Sequence, residues 1–228
     1  NNELDLHSKQ KIACSMLRVN ILSAIQHAGS GHLGTSLSVL EVMLTSLMFL
    51  EKFSKKSTHF FSSKGHDVPA LYACYEALGN IENGSLKTLR KFGGLPGHPD
   101  VETPNILFNT GSLGMGISKA NGWLSSKELN KEEAKLIVVI GDGEFQEGQN
   151  FEALMFLQNN PDLKPLIIMD SNQIQSDTWT HEVKSFEPLR GKVLAFGLNY
   201  EEVDGHDINA LNDVIERHFS DESNGATF

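Results

Sequence analysis

Asp142 sits in Gly141-Asp142-Gly143-Glu144, directly after the apolar pentad 136–140, and Asn172 follows the apolar run 166–169 at a similar offset. Two neighbouring parallel strands would deliver this carboxylate and this amide to one sheet edge, the edge beyond which open parallel sheets bind ligands. One carboxylate and one amide carbonyl suit a hard divalent cation, Mg²⁺ or Ca²⁺, rather than zinc. Two protein oxygens alone hold Mg²⁺ weakly, so more must come from a bound phosphate, a backbone carbonyl or water, and a diphosphate is the natural missing ligand. Gly141 and Gly143 let backbone amides approach phosphate oxygens, and the N-terminus of a following helix would add partial positive charge. Taken alone, Gly-Asp-Gly is equally an ordinary turn; Asn172 shifts the weight toward a site.

A second glycine-rich segment, Thr110-Gly111-Ser112-Leu113-Gly114-Met115-Gly116, follows the apolar run 106–108. It resembles a dinucleotide fingerprint only in reversed order, and no acidic residue follows about 20 positions on at the end of a second strand. It reads as a loop packed closely over a cofactor or as a tight helix start. Three histidines share a setting: His32 in Gly31-His32, His66 in Gly65-His66 and His98 in Gly97-His98. Each follows a glycine in an expected loop, where an imidazole is free to enter a cleft and shuttle protons or bind hydroxyls. Singly each is more simply a turn histidine; together they suggest a cluster. His206, in Asp204-Gly205-His206-Asp207, reads as a turn or capping feature.

The elements that must position these groups alternate along the chain. Ile12, Met16, Val19, Leu22 and Ile25 recur at steps of three or four, which predicts an amphipathic helix ending near Gly29. Ser38 three residues before Glu41 has capping-box spacing, with Leu40, Met43, Leu44 and Leu47 behind it. A strand is expected at 58–62, a helix at 69–78, and a long Gly/Pro-rich functional loop over 80–110. Strand 136–140, helix 151–157 and strand 166–169 have βαβ spacing, and strands without polar alternation belong to a sheet covered on both faces. An irregular stretch at 171–181, a helix at 187–196, a strand at 199–203 and a helix at 208–219 follow. Residues 225–228 look like the start of one more strand, so the C-terminal end is expected to be cut or disordered. The fold class is α/β, a parallel sheet with helices on both faces, and residues 1–228 form one domain.

Composition removes several function classes. Lys and Arg total 19 against 29 Asp and Glu, a net charge of -10, the wrong sign for binding nucleic acid or an anionic membrane. Cys14 and Cys74 have no metal-ligand spacing and are too few for a disulfide framework, which fits a reducing, cytoplasmic setting. The polar start NNELDLHSKQK is no signal peptide, and the greasiest run, 33–50, is broken by six polar residues.

The segments SGHLG (30–34), SSKGHD (62–67), GLPGHP (94–99), TGSLGMG (110–116) and GDGEFQEGQNFEA (141–153), with Asn172 beyond, resemble the N-terminal region of transketolases in the right order. The likeness extends from about Ser30 to His206. It implies a pyrophosphate-binding domain holding thiamine diphosphate through a divalent metal, Mg²⁺ or Ca²⁺. Asp142, Asn172 and the backbone carbonyl of Ile174 fall on metal-ligand positions. His66, Gly111, Leu113 and Gly143 fall on cofactor-contacting positions, with Gly141 and Glu144 beside them. His32 and His98 fall where the family places donor-sugar and proton-transfer histidines; Glu147 and Glu152 match acidic positions near a subunit interface. Leu33 replaces the proline usual in this segment. The family's cofactor-activating glutamate belongs to a pyrimidine-binding domain that this chain lacks. The resemblance therefore implies the N-terminal subunit of a split transketolase, or an excised half, completed by a C-terminal partner subunit in a heterotetramer. That assembly would move a two-carbon ketol unit from a ketose or ketose phosphate to an aldose. Alternatives are the thiamine-binding subunit of a deoxyxylulose-phosphate synthase-like or 2-oxoacid-decarboxylating enzyme, and a non-catalytic binding homologue.

Overall fold

Seven consecutive residues of the central apolar run, 135–141, form a strand because both of its faces are covered: Leu136 to Ile140 are all inaccessible to solvent. Each such side chain contributes roughly 1.5–3 kcal/mol by leaving water. The computed structural model describes residues 5–54, 57–176, 178–220 and 225–228. In chain order the elements are α1 (Leu6–Ala28), α2 (Leu33–Ser38), α3 (Leu40–Leu50), β1 (Thr58–Ser62), α4 (Val68–Ala77), a 3-10 turn (Ser85–Thr88), α5 (Gly116–Leu129) and β2 (Lys135–Gly141). Then come α6 (Asp142–Phe145), α7 (Gly148–Gln158), β3 (Leu166–Asp170), β4 (Ile174–Gln175), β5 (Thr178–Trp179), α8 (Thr180–Val183), α9 (Leu189–Ala195) and α10 (Ile208–His218). Two packing units emerge. The first holds Asn1–Phe49, Gly65–Gly111 and Val203–Asn212; the second holds Leu50–Lys64, Ser112–Glu202 and Asp213–Phe228.

In the second unit the sheet runs β1-β2-β3, all parallel, with Phe60 opposite Ile137 and Gly141 opposite Asp170. Helix α5 packs on β2 and against α7, giving the α/β architecture expected from the strand–helix–strand spacing. The expected strand at 199–203 contracts to a single parallel bridge at Asn199, whose partner Thr227 also bridges Leu166. His218 ties this region down. Its Nδ1 accepts from Thr227 Oγ1 at 2.8 Å and its Nε2 donates to the Lys164 carbonyl at 3.1 Å. Burial pushes its pKa down to about 4. The stretch 171–181, expected to be irregular, contains the antiparallel pair β4–β5 and the first residues of α8.

In the first unit Asp5 caps α1 by accepting from Ser8 N at 2.7 Å, and Gly29 ends it in the left-handed conformation at φ 71°. The inward face differs from the one periodicity suggests. Cys14, Leu17, Ile21 and Ala24 are buried, whereas Ile12, Met16, Val19 and Leu22 are exposed. Apolar residues occur on both sides of this helix, and the core takes the side carrying the smaller residues, against α4 and α2. Ser38 is also corrected: it is the last residue of α2 and caps nothing. Glu41, 5% exposed, takes a hydrogen bond from Arg18 Nη2 at 2.5 Å and faces His206 Nδ1 at 3.1 Å. His206 thus serves this unit's packing. Residues 106–108 form no strand.

Candidate functional site

In the second unit the two strand tips meet. Asp142, 3% exposed, opens α6 one residue past β2's pairing with β3, and the chain beyond β3 turns back along it. Its Oδ2 accepts from Gln173 N at 2.6 Å and Thr180 Oγ1 at 3.1 Å, and its Oδ1 accepts from Gly143 N at 2.7 Å. Burial raises the Asp142 carboxyl above its ordinary value, and these three hydrogen bonds pull it back. Asn172 lies alongside: its Nδ2 donates to Asp170 Oδ2 at 3.0 Å, and its Oδ1 accepts from Ile174 N at 2.9 Å.

Gly143 has no room for a side chain, since a Cβ there would lie 2.8 Å from Gln175 Cβ. Buried Gln175 Oε1 has no hydrogen-bond partner among the described residues. Asp142, Asn172 and the Ile174 carbonyl are hard oxygen donors, and a carboxylate with about four lone-pair sites and three donors keeps one free direction. The residues fit a hard divalent cation. No group of three or more His, Cys, Asp or Glu side chains that could hold a metal occurs among the described residues, so a metal here needs the amide and carbonyl oxygens.

The helix expected to lend its positive end to this edge is the four-residue α6. Glu144 uses up its first amide: Oε2 accepts from Gly141 N at 3.1 Å, while Oε1 accepts from Gly114 N at 2.9 Å and from Ser63 Oγ. Glu144 therefore joins β1, β2 and the 112–116 loop, and the strand tip carries no helix-dipole field from α6. Leu113 is partly exposed on that loop. Glu147 is exposed at the start of α7, where its Cβ leaves no space for a side chain on Gly114, and Glu152 is exposed on the same helix.

In the first unit the three histidines come together. The His32 and His66 rings lie 5.3 Å apart, edge to face. Gly65, at φ 69°, would place a Cβ 2.6 Å from Gly111 N, and Gly111, at φ 111°, would place one 2.6 Å from His98 Cδ2. Only glycine fits these two contacts. His98 is pushed below its ordinary pKa, chiefly by burial, then by the charges of Arg90 and His32, against a weaker opposite pull from Asp67. Tyr72 Oη donates to the His98 carbonyl at 3.3 Å, and buried Thr110 Oγ1 has no partner among the described residues. The cluster therefore offers, in His98, an imidazole that favours its neutral form and can both donate and accept.

Several residues escaped the reading of motifs. Lys64 and Asp170 form an ion pair at 2.5 Å with side chains only 2% and 10% exposed. Thr180 and Gln146 fasten the segment after β5, Gln146 Nε2 donating to the Thr180 and Lys184 carbonyls at 3.0 and 2.6 Å. The available signal was position: Ser63-Lys64 and Asp170 directly follow or end apolar runs.

No helix among the described residues is long and apolar enough to cross a membrane. A family model described as 1-deoxy-D-xylulose-5-phosphate synthase matches residues 2–179. One of the two subunits of an apulose-4-phosphate transketolase from Phocaeicola vulgatus is 38% identical over 203 residues, 85% of this chain and 72% of the relative. The 6-deoxy-6-sulfo-D-fructose transketolase subunit of a Clostridium species is 34% identical over 211 residues, 89% and 77% respectively. Transketolase from Leishmania mexicana superposes with a TM-score of 0.82 at 27% identity, over 96% of this chain and 35% of that one. The chain thus spans about a third of that solved transketolase but roughly three quarters of the subunit-type relatives. With its parallel sheet and its motif order, it belongs to the transketolase and 1-deoxy-D-xylulose-5-phosphate synthase family, as an N-terminal thiamine-diphosphate-binding domain of the split-transketolase pattern.

Proposed function

We propose that this chain is the diphosphate-side subunit of a two-chain transketolase, transferring a two-carbon ketol unit between sugars or sugar phosphates once joined to a pyrimidine-binding subunit. Supporting this is the meeting of the strand tips, where Gln173 N reaches Asp142 Oδ2 at 2.6 Å and draws residues 172–174 beside the carboxylate. Asp142, Asn172 and the Ile174 carbonyl would hold Mg²⁺ or Ca²⁺, which in turn fixes the diphosphate. Gly141 and Gly143 would keep that approach open, with Leu113 beside an apolar part of the cofactor and Glu144 holding the loop that carries it. The chemistry the cofactor supplies when bound is stabilisation of a carbanion beside a former carbonyl carbon. His32 and His98 would hydrogen-bond sugar hydroxyls and take or return the proton at the oxygen next to the cleaved carbon–carbon bond. His66 and Gly111 are assigned to cofactor contact, and Glu147 to a carboxylate network with the partner subunit. Both cysteines are buried and unpaired, which suits a reducing cytoplasm, and a heterotetramer with the partner is the expected assembly.

Calorimetry with thiamine diphosphate and Mg²⁺ tests the assignment. Asp142→Ala is expected to abolish metal-dependent binding; unchanged binding refutes the metal site. The family model's description favours a second reading, in which the chain serves a deoxyxylulose-phosphate synthase-like enzyme. Turnover across a donor panel separates the two: conversion of ketoses supports transketolase, and conversion of 2-oxoacids alone supports the synthase.

A further inference from the structure

We infer that the buried Lys64–Asp170 ion pair is a positioning device that fixes which end of the Asn172 carboxamide faces the cation; the inference rests on the metal assignment above. Asp170 Oδ2 receives Lys64 Nζ at 2.5 Å and Asn172 Nδ2 at 3.0 Å. At the other end of the same amide, Oδ1 accepts from Ile174 N at 2.9 Å. A carboxamide can turn over and offer its NH₂ group, which repels a cation, where its oxygen should be. A carboxylate accepts hydrogen bonds and donates none, so Asp170 holds the NH₂ end and leaves the oxygen to the other side.

Lys64 makes that restraint dependable. Its stem crosses the tip of β2, with Cγ 3.5 Å from where a Gly141 Cβ would stand, and its ammonium keeps the Asp170 carboxylate charged and in place. Stability does not explain the arrangement, because a buried ion pair is commonly matched or bettered by apolar residues of similar volume. An oriented ligand does explain it. Groups that orient a metal ligand typically change metal affinity about 10–100-fold when removed.

The test follows from replacing the pair as a unit. Lys64→Met combined with Asp170→Leu leaves no unpaired buried charge, so its melting temperature is expected to stay near that of the unmodified protein. Its Mg²⁺-dependent affinity for thiamine diphosphate, measured by calorimetry, is expected to fall about 10–100-fold. Adding Asn172→Asp supplies a second readout, since a carboxylate presents oxygen either way round. In that background, removing the pair is expected to cost less than about threefold, a coupling that packing damage would not produce. Should the double replacement fail to fold, Asp170→Asn carries the same measurement, with an expected loss of about tenfold and the same rescue. Undiminished affinity in a folded variant, or a loss that Asn172→Asp does not rescue, overturns the inference. If the unmodified protein binds no thiamine diphosphate with Mg²⁺, the metal assignment itself fails, and the inference with it.

Discussion

In the first unit His32 and His98 stand exposed on turns, their rings set by glycine contacts, whereas in the second unit Asp142, Glu144 and Lys64 are buried and tied to named partners. The two regions solve different problems. A cation and a diphosphate need ligands held in one geometry before they arrive, so the oxygen donors sit on strand ends and are braced by backbone amides. Moving a proton needs groups that reach substrate and titrate near neutrality, which buried imidazoles do not. The contrast is visible within one residue type. His218 in the second unit is buried and kept neutral down to about pH 4, while His98 shifts below its ordinary value but remains open.

The contrast can be broken at four places, with diminishing effect. His98→Asn is expected to lower kcat by about 10²–10⁴-fold while leaving the calorimetric affinity for thiamine diphosphate and Mg²⁺ within about threefold; a matching loss of affinity would merge the two roles. Second comes acid. The folded-state pKa of His218 is depressed from 6.5 to about 4, so its neutral form supports the fold above pH 6.5 and that support is lost as pH falls toward 4. The loss is of order 3 kcal/mol, read as a drop in melting temperature that His218→Gln should flatten. Third, Gly143→Ala pushes a Cβ to 2.8 Å from Gln175 Cβ and is expected to weaken cofactor binding by about 1–2 kcal/mol, with kcat at saturation little changed. Last, Met16→Ala on the exposed stripe of α1 is expected to change stability by under about 0.5 kcal/mol; a cost typical of a core residue would show that stripe to be buried.

Much of the second unit is legible from sequence because its signals are local. An unbroken apolar run reads as a covered strand, and residues just past it reach the ligand edge, so Asp142 and Asn172 could be paired before any coordinates. Lys64 and Asp170 could not, because 106 positions separate them and neither type nor spacing announces a buried pair. Glu144 illustrates a second limit: an acidic residue near glycines suggests a ligand, yet its three acceptor contacts come from Gly141, Gly114 and Ser63. Helix α1 shows a third. Periodicity finds a stripe, but with Ile12 and Met16 on one side and Leu17 and Ile21 on the other, only the surrounding core decides which side turns inward. The β4–β5 pair is two residues per strand, too short for alternation to register.

The nested glycines beside the histidines limit how this scaffold can diversify. Gly65 and Gly111 each admit no further carbon, so any randomised library or natural drift seeking a new sugar preference finds both positions closed. Variation must enter instead through the neighbouring rim, Arg90 to Phe92, where side chains already face solvent.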